Sequence, residues 1–311
     1  MSENGFNAQV AAETETVKRR SAFQNFLDRL RGIQTETAAS GESEELKRLP
    51  IALRPRTITV MNQKGGCGKT TTVVNLSAAL AISGYHVLVV DMDPQAHASL
   101  GFGISTQNIK RSIYDVLLND QISFEHVVCS TGVDHLDLLP SSIRLSTAQL
   151  ELAHISRGEM VLKRALKELD KSYDFVLIDC PPTLNLLTLN ALCYSTQVII
   201  PVQTHYYALE GMKELFKTVN AIRGQFNPDL EILGILATLF DKRIRIAVDM
   251  LEALRDYFKD EMFQTVIHHN VKLIEAPMVQ KPVVSYAPNS SAALDFQHLA
   301  QEVVRLVTKT D

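Results

Sequence analysis

The sequence predicts an α/β protein: one doubly wound, mostly parallel sheet with helices on both faces, preceded by a short N-terminal extension. Three observations predict it. A β-branched run, 57–60, opens onto Met61-Asn62-Gln63-Lys64-Gly65-Gly66-Cys67-Gly68-Lys69-Thr70-Thr71-Thr72, and a helix-compatible run, 71–82, leads out of it. Two more apolar runs, within 86–91 and 172–179, end in the carboxylates Asp91 and Asp179, as parallel strands buried on both faces do. Later runs at 197–202 and 231–240 read as further buried strands.

Composition bounds the rest. The 311 residues are long enough for a sizeable core, and 46% hydrophobic with 21% charged residues fits a globular protein. A net charge of −4 gives no global attraction to nucleic acid, so any DNA contact has to come from a local patch. Cys67, Cys129, Cys180 and Cys193 are scattered without C-x-x-C spacing, which argues against a zinc site or a disulfide framework and suits a reducing cytoplasm. No apolar run reaches membrane-spanning length, and the N-terminus lacks a signal-peptide core.

Residues 1–50 form the extension. Both of its ends are rich in polar residues. Its middle, about 17–33, has helical periodicity that puts Phe23, Phe26, Leu27 and Leu30 on one face among basic residues. Such a helix can dock on a partner, pack on its own domain or bind an anionic membrane surface.

Residues 61–72 are a phosphate-binding loop. Triphosphate oxygens must approach the backbone closely, so side chains are removed at Gly65, Gly66 and Gly68. The freed amides around Cys67, and the helix start at Thr70 and Thr71, then face the anion. Lys69 reaches toward the β- and γ-phosphates, and the Thr70 hydroxyl toward Mg2+. Gln63 stands where the common pattern has glycine, and a second lysine, Lys64, opens the loop. One use for that extra cation is a second nucleotide across a dimer interface.

The stretch K-G-G-x-G-K-T-T resembles the deviant Walker A motif of the ParA/Soj/MinD family of dimerising ATPases, and most closely the ParA/Soj partition branch. The likeness runs from about Arg56 to about Val307, so 56–309 is expected to be one ParA-type P-loop ATPase domain. The resemblance implies ATP and Mg2+ as ligands and an ATP-dependent homodimer. It also implies nonspecific binding to nucleoid DNA, and hydrolysis stimulated by a ParB-like or cargo-adaptor partner. The cargo is a plasmid, a chromosome or a protein assembly.

The remaining elements follow in order. Asp91-Met92-Asp93-Pro94-Gln95 puts two carboxylates at a strand end, where one can position water for in-line attack. It resembles the family's D-x-D-P-Q element, which implies that Asp93 positions the attacking water and Asp91 supports the metal site. The next residues, Ala96-His97-Ala98-Ser99, depart from the family's usual Gly-Asn-Ala-Thr. A helix over 112–118, a strand over 136–140 and a helix over 160–169 follow, without evident chemistry. Asp179, ending the apolar run before Cys180-Pro181-Pro182, has the Walker B arrangement and is a Mg2+ ligand, often through water. Cys180 reads as a small buried residue.

Residues 206–211 resemble the dimer-side helix of partition ATPases. By the same resemblance Arg243 and Lys272 fall on DNA-binding positions, and Pro277 with its loop flanks the adenine. Cations suit phosphate contacts that carry no base information, although solvated loop charges look the same in sequence. His268-His269 replaces a common Pro-Arg, so one cation is lost near neutral pH. The last helix, 291–307, reads as packing and carries no Lys-rich amphipathic tail of the MinD kind, which makes membrane binding the weaker alternative. An iron–sulfur reductase resembling the nitrogenase iron protein is a further alternative, sharing the lysine-bearing loop. A cytoplasmic, nucleoid-associated protein is expected.

Overall fold

The computed structural model describes residues 55–169, 173–204 and 208–309. The predicted helix at 17–33, the rest of the extension, Ser172 and Tyr206–Tyr207 lie outside the described residues. From the first strand the chain runs β1 (Arg56–Val60), α1 (Lys69–Ile82), β2 (Val87–Asp91), α2 (His97–Gly101), α3 (Ile113–Leu118), β3 (Cys129–Ser130) and β4 (Leu136–Leu139). It continues with α4 (Leu145–Ala153), α5 (Val161–Ala165), β5 (Phe175–Asp179), α6 (Leu186–Tyr194), β6 (Gln197–Gln203) and α7 (Ala208–Gln225). It closes with β7 (Glu231–Phe240), α8 (Arg245–Phe258), β8 (Met262–His268), α9 (Val271–Met278), α10 (Val283–Tyr286) and α11 (Ser291–Lys309).

The eight strands form one sheet in the order β3-β4-β2-β5-β1-β6-β7-β8. Every neighbouring pair is parallel except β3 with β4. β1 lies between β5 and β6, with Val60 opposite Asp179 on one side and Ile199 on the other. The chain builds one half of the sheet after β1 and the other half from β6 onward. The strand C-termini near that reversal therefore share the crevice where open α/β sheets bind ligands.

Helices cover the sheet in two groups. α1, α10 and α11 pack together, and Val73, Leu76 and Leu80 join Phe296, Leu299 and Val303 in one buried core. The other group contains α3 to α7, with α6 held at its start by Asn185, whose side chain accepts from the amides of Leu187 and Thr188. β1 serves both sides. Ile58 and Val60 enter the first core, while the hydroxyls of Thr57 and Thr59 bond Thr196 and Ser195. β8 ends the sheet, and α11 supplies acceptors there. Glu302 accepts from the amides of Gln264 and Thr265, and Asp295 from that of His268.

Two expectations change in detail. The helix over 160–169 is broken into a turn of 3-10 helix at Gly158–Met160, α5, and another at Lys167–Leu169. Tertiary bonds compete with helical ones there. Asn190 on α6 accepts from the Leu162 amide and donates to the Gly158 carbonyl, and a β-carbon at Gly158 would collide with the Leu152 carbonyl. The helix expected from 112 begins one residue later, because Ser112 is its cap: its amide bonds the Asp115 carboxylate in a capping box.

Candidate active site

The phosphate loop joins the end of β1 to α1. Gly66 and Gly68 have φ of 73° and 88°, a left-handed backbone that side chains resist. A β-carbon on Gly65 would meet nothing within 4 Å, so internal packing does not require glycine there. What its absence leaves is open backbone on the loop's exposed side. Gly68 precedes α1 without any side-chain cap, so the first-turn amides, including those of Thr70 and Thr71, can face an anion. Lys69 is only 7% exposed, and its Nζ donates to the Lys64 carbonyl at 3.1 Å. Lys64 is exposed, with its amide donating to Asn62 Oδ1 at 3.0 Å. Cys67 is buried and its thiol donates to the same Lys64 carbonyl. Burial pushes its pKa up, and does so more strongly at Cys180, as suits packing residues rather than thiolates.

Asp91 and Asp179 stand opposite one another at the ends of β2 and β5. Thr70 donates its hydroxyl to Asp179 Oδ2 at 2.7 Å, which joins the loop helix to the Walker B strand. The other oxygen, Asp179 Oδ1, is buried and has no hydrogen-bond partner among the described residues. A buried, unsatisfied carboxylate oxygen beside a threonine hydroxyl is the donor set that a hard cation such as Mg2+ takes. Burial, and then the charge of Asp91, raise the Asp179 pKa well above the usual carboxylate range.

Asp91 is fully buried and both its oxygens are engaged. Oδ2 accepts from the Ser99 amide at 2.8 Å and the Ser99 hydroxyl at 2.7 Å, and Oδ1 from the Asp93 amide at 3.2 Å. Burial pushes its pKa up to about 7 despite these bonds. Asp93 follows on the loop toward α2. Its Oδ1 accepts from the Gln95 amide at 2.9 Å, and its carbonyl from the Ser141 hydroxyl at 2.6 Å. Ala96 takes φ of 53° at the turn into α2, at the position where the family resemblance has glycine.

Loop, Thr70, Asp179, Asp91 and Asp93 thus converge, while no hydrogen bond or ion pair among the described residues joins Pro277, Arg243 or Lys272 to that cluster. Pro277 was expected in a loop; it lies in the last turn of α9, exposed to solvent. Asn270 caps that helix, and Pro277 has no amide proton to give the Leu273 carbonyl, so the last turn lacks one bond of the ladder. Arg243 and Lys272 leave the ends of the adjacent strands β7 and β8, linked by the His269 amide donating to the Phe240 carbonyl at 2.8 Å. Both carry a carboxylate of their own. Arg243 grips Asp241 through Nε at 2.9 Å and Nη2 at 2.7 Å, and Lys272 donates to Glu275 Oε2 at 2.7 Å.

Sequence reasoning missed Ser99, Ser141, Gln203 and Thr238. The one available signal was the hydroxyl that Ser99 retains at the last position of the family's Gly-Asn-Ala-Thr. The others act across long sequence separations. Gln203 Nε2 donates to the Gly66 carbonyl at 2.6 Å and Thr238 Oγ1 to the Cys67 carbonyl at 2.8 Å.

A strand, glycine loop and helix, with Lys69, Thr70 and Asp179 at the strand ends, define a P-loop nucleotide-binding protein. The family model described as an AAA domain matches residues 55–232. The sporulation initiation inhibitor protein Soj of Bacillus subtilis is 45% identical over 79% of this chain and 97% of its own. Among solved structures, cobyrinic acid a,c-diamide synthase from Mycobacterium smegmatis with bound ADP and magnesium aligns with a TM-score of 0.73. It is 33% identical over 83% of this chain and 97% of its own. A putative plasmid partition protein from Borrelia burgdorferi B31 bound to AMPPNP aligns with a TM-score of 0.69, at 26% identity over 83% of this chain and all of its own (100%). The chain belongs to the ParA/Soj-type family of P-loop ATPases.

Proposed function

We propose that this ATPase forms an ATP-dependent homodimer that holds DNA nonspecifically and positions a plasmid, chromosome or protein cargo, with a ParB-like or adaptor partner stimulating hydrolysis. The observation that carries the nucleotide half is the Thr70–Asp179 bond with its unsatisfied partner oxygen, set directly behind the phosphate loop. Its relatives carry the partition half: a Soj from Treponema pallidum named as a chromosome-partitioning ATPase, 41% identical over 80% of this chain and 97% of its own, and a ParA from Myxococcus xanthus named as a chromosome partitioning protein, 42% identical over 80% of this chain and 88% of its own.

In this reading Gly65 to Thr71 and Lys69 hold the ATP phosphates, and Thr70 and Asp179 hold Mg2+. The metal ion, when bound, supplies positive charge against the phosphate oxygens and the buried carboxylates. Asp93 accepts a hydrogen bond from the attacking water and aims its oxygen at the γ-phosphorus. The bond to the bridging oxygen breaks, and ADP and phosphate leave. Asp91 supports the metal site from behind, by fixing Ser99 and the Asp93 amide. Lys64 crosses to the partner's nucleotide, and Pro277 flanks the adenine. Arg243 and Lys272 contact DNA phosphates. Residues 56–309 act as one ATPase domain, and residues 1–50 as a short N-terminal extension to it. The protein works in the cytoplasm on the nucleoid.

Asp93→Ala tests the chemistry. The variant should bind ATP and dimerise with near-normal affinity while turnover falls by about 10²-fold or more, since only water positioning is removed. Near-normal partner-stimulated hydrolysis would remove Asp93 from this role.

A further inference from the structure

The phosphate loop is fastened to the two strands beside it by side chains that have no part in the chemistry above. Gln203 ends β6 and donates to the Gly66 carbonyl at 2.6 Å. Thr238, 2% exposed on β7, donates to the Cys67 carbonyl at 2.8 Å, and a β-carbon on Gly68 would stand 3.7 Å from its side chain. A trans peptide points its carbonyl and the following N–H in opposite directions. Holding these two carbonyls on the strands therefore turns the amides of Cys67 and Gly68 away from them.

Beyond Thr238 the strand becomes irregular. The register of β7 against β8 shifts between Ala237 and Phe240. Leu239, next to Thr238, takes φ of 52°. A leucine in the left-handed region is strained, and such strain persists only where the surroundings impose it. Two residues further on is Asp241, whose carboxylate accepts from both the backbone amide and the side chain of Arg243. One buried hydroxyl and one strained bulge thus separate the phosphate loop from the Arg243 segment. Gln203, by contrast, leads through 204 and on toward α7.

We propose that Gln203 and Thr238 are positioning residues for the phosphate loop, and that Thr238, through the Leu239 bulge, couples nucleotide occupancy to the 239–245 segment. When the loop closes on phosphate oxygens, the Cys67 carbonyl moves with it, and the Thr238 hydroxyl transmits that movement to the bulge. The inference rests on the proposed function, in which this loop binds ATP and Arg243 contacts DNA. Its test uses no DNA, so a failure of DNA binding and a failure of the coupling are told apart.

Thr238→Val removes the hydroxyl and keeps the β-branched shape, and Thr238→Ser keeps the hydroxyl. ATP affinity is measured by titration. Amide hydrogen exchange over 239–245 is followed with and without a saturating nonhydrolysable ATP analogue. Thr238→Val should weaken ATP binding about tenfold, the size expected when one buried carbonyl loses its donor. It should also abolish the nucleotide-dependent exchange change over 239–245 even at saturation, and Thr238→Ser should restore both. Gln203→Met should weaken ATP binding while leaving the exchange change at 239–245 in place. Unaltered ATP affinity in Thr238→Val overturns the positioning role. A wild-type protein with no nucleotide-dependent exchange change over 239–245, or a valine variant that keeps it, overturns the coupling.

Discussion

Lys64 is exposed at the head of the phosphate loop, its backbone fixed by Asn62 while its ammonium makes no ion pair among the described residues. Lys69, five residues on, is buried and turned inward. One lysine is therefore buried within the loop and the other exposed at its head. Lys64→Ala should bind ATP within a few-fold of wild type, fail to dimerise with ATP by light scattering, and lose about 10²–10³-fold in turnover, the effect of removing a preorganised cation from a reacting phosphate. Normal ATP-dependent dimers would rule the crossing role out. Ala96 gives a second expectation. Alanine normally outperforms glycine in stability, but at φ of 53° the order reverses. Ala96→Gly should raise stability by up to about 1 kcal/mol in urea unfolding, and a clear loss would contradict the strain. The motif residues of the site were legible because chemistry dictates their type and spacing: Lys64, Lys69, Thr70, Asp91, Asp93 and Asp179. Ser141 was not, because a hydroxyl that bonds a buried carbonyl looks in sequence like any other serine, and Ser99 showed only as a hydroxyl kept from the family pattern.

At the scale of elements, the pairing of β8 with α11 rests on polar bonds as well as on apolar packing. Asp295 accepts from the His268 amide and from its ring Nδ1, at 3.0 Å to Oδ2. That hydrogen bond raises the His268 pKa above its ordinary value, against partial burial and the charge of Lys242. A raised histidine pKa contributes stability that is fully present below the unfolded value, near 6.5, and is lost as pH rises through the folded value. The protein should therefore lose a small increment of thermal stability as pH rises above about 6.5, and Asp295→Asn should flatten that part of the profile. An unchanged slope in the variant would assign the dependence elsewhere. The same pair alters the sequence reading of His268-His269, since His268 keeps its proton further toward neutral pH than an isolated histidine. The strands were legible as continuous apolar runs, and β7 matches its expected bounds, 231–240. The break in 160–169 was not legible, because Asn190 imposes it from another helix. Nor was the helical setting of Pro277, because an interior proline ordinarily argues against a helix.

At the scale of the whole molecule, the order of strands places Asp91, Asp93 and Asp179 and the Arg243 and Lys272 segments at the same edge, the strand C-termini. Nothing in the sequence stated that order; only the class of sheet could be read. The net charge of −4 and the internal carboxylates on both cations, Asp241 and Glu275, make a single chain a poor ligand for DNA. Exposed ion pairs of this kind are weak, so a phosphate can displace the carboxylate when two copies of the patch act together. In the proposed function ATP creates that doubled patch. The most direct measurement is the affinity of the full chain for long duplex DNA with ATP and Mg2+, with ADP and without nucleotide, over a series of salt concentrations. Binding with ATP should be indifferent to sequence and fall steeply with salt, each neutralised phosphate adding roughly 0.9 to the log–log slope. Arg243→Ala should weaken binding to all sequences alike. No shift of any duplex at low salt with ATP would contradict the proposed function, and co-sedimentation with anionic liposomes under the same conditions would point to membrane cycling instead.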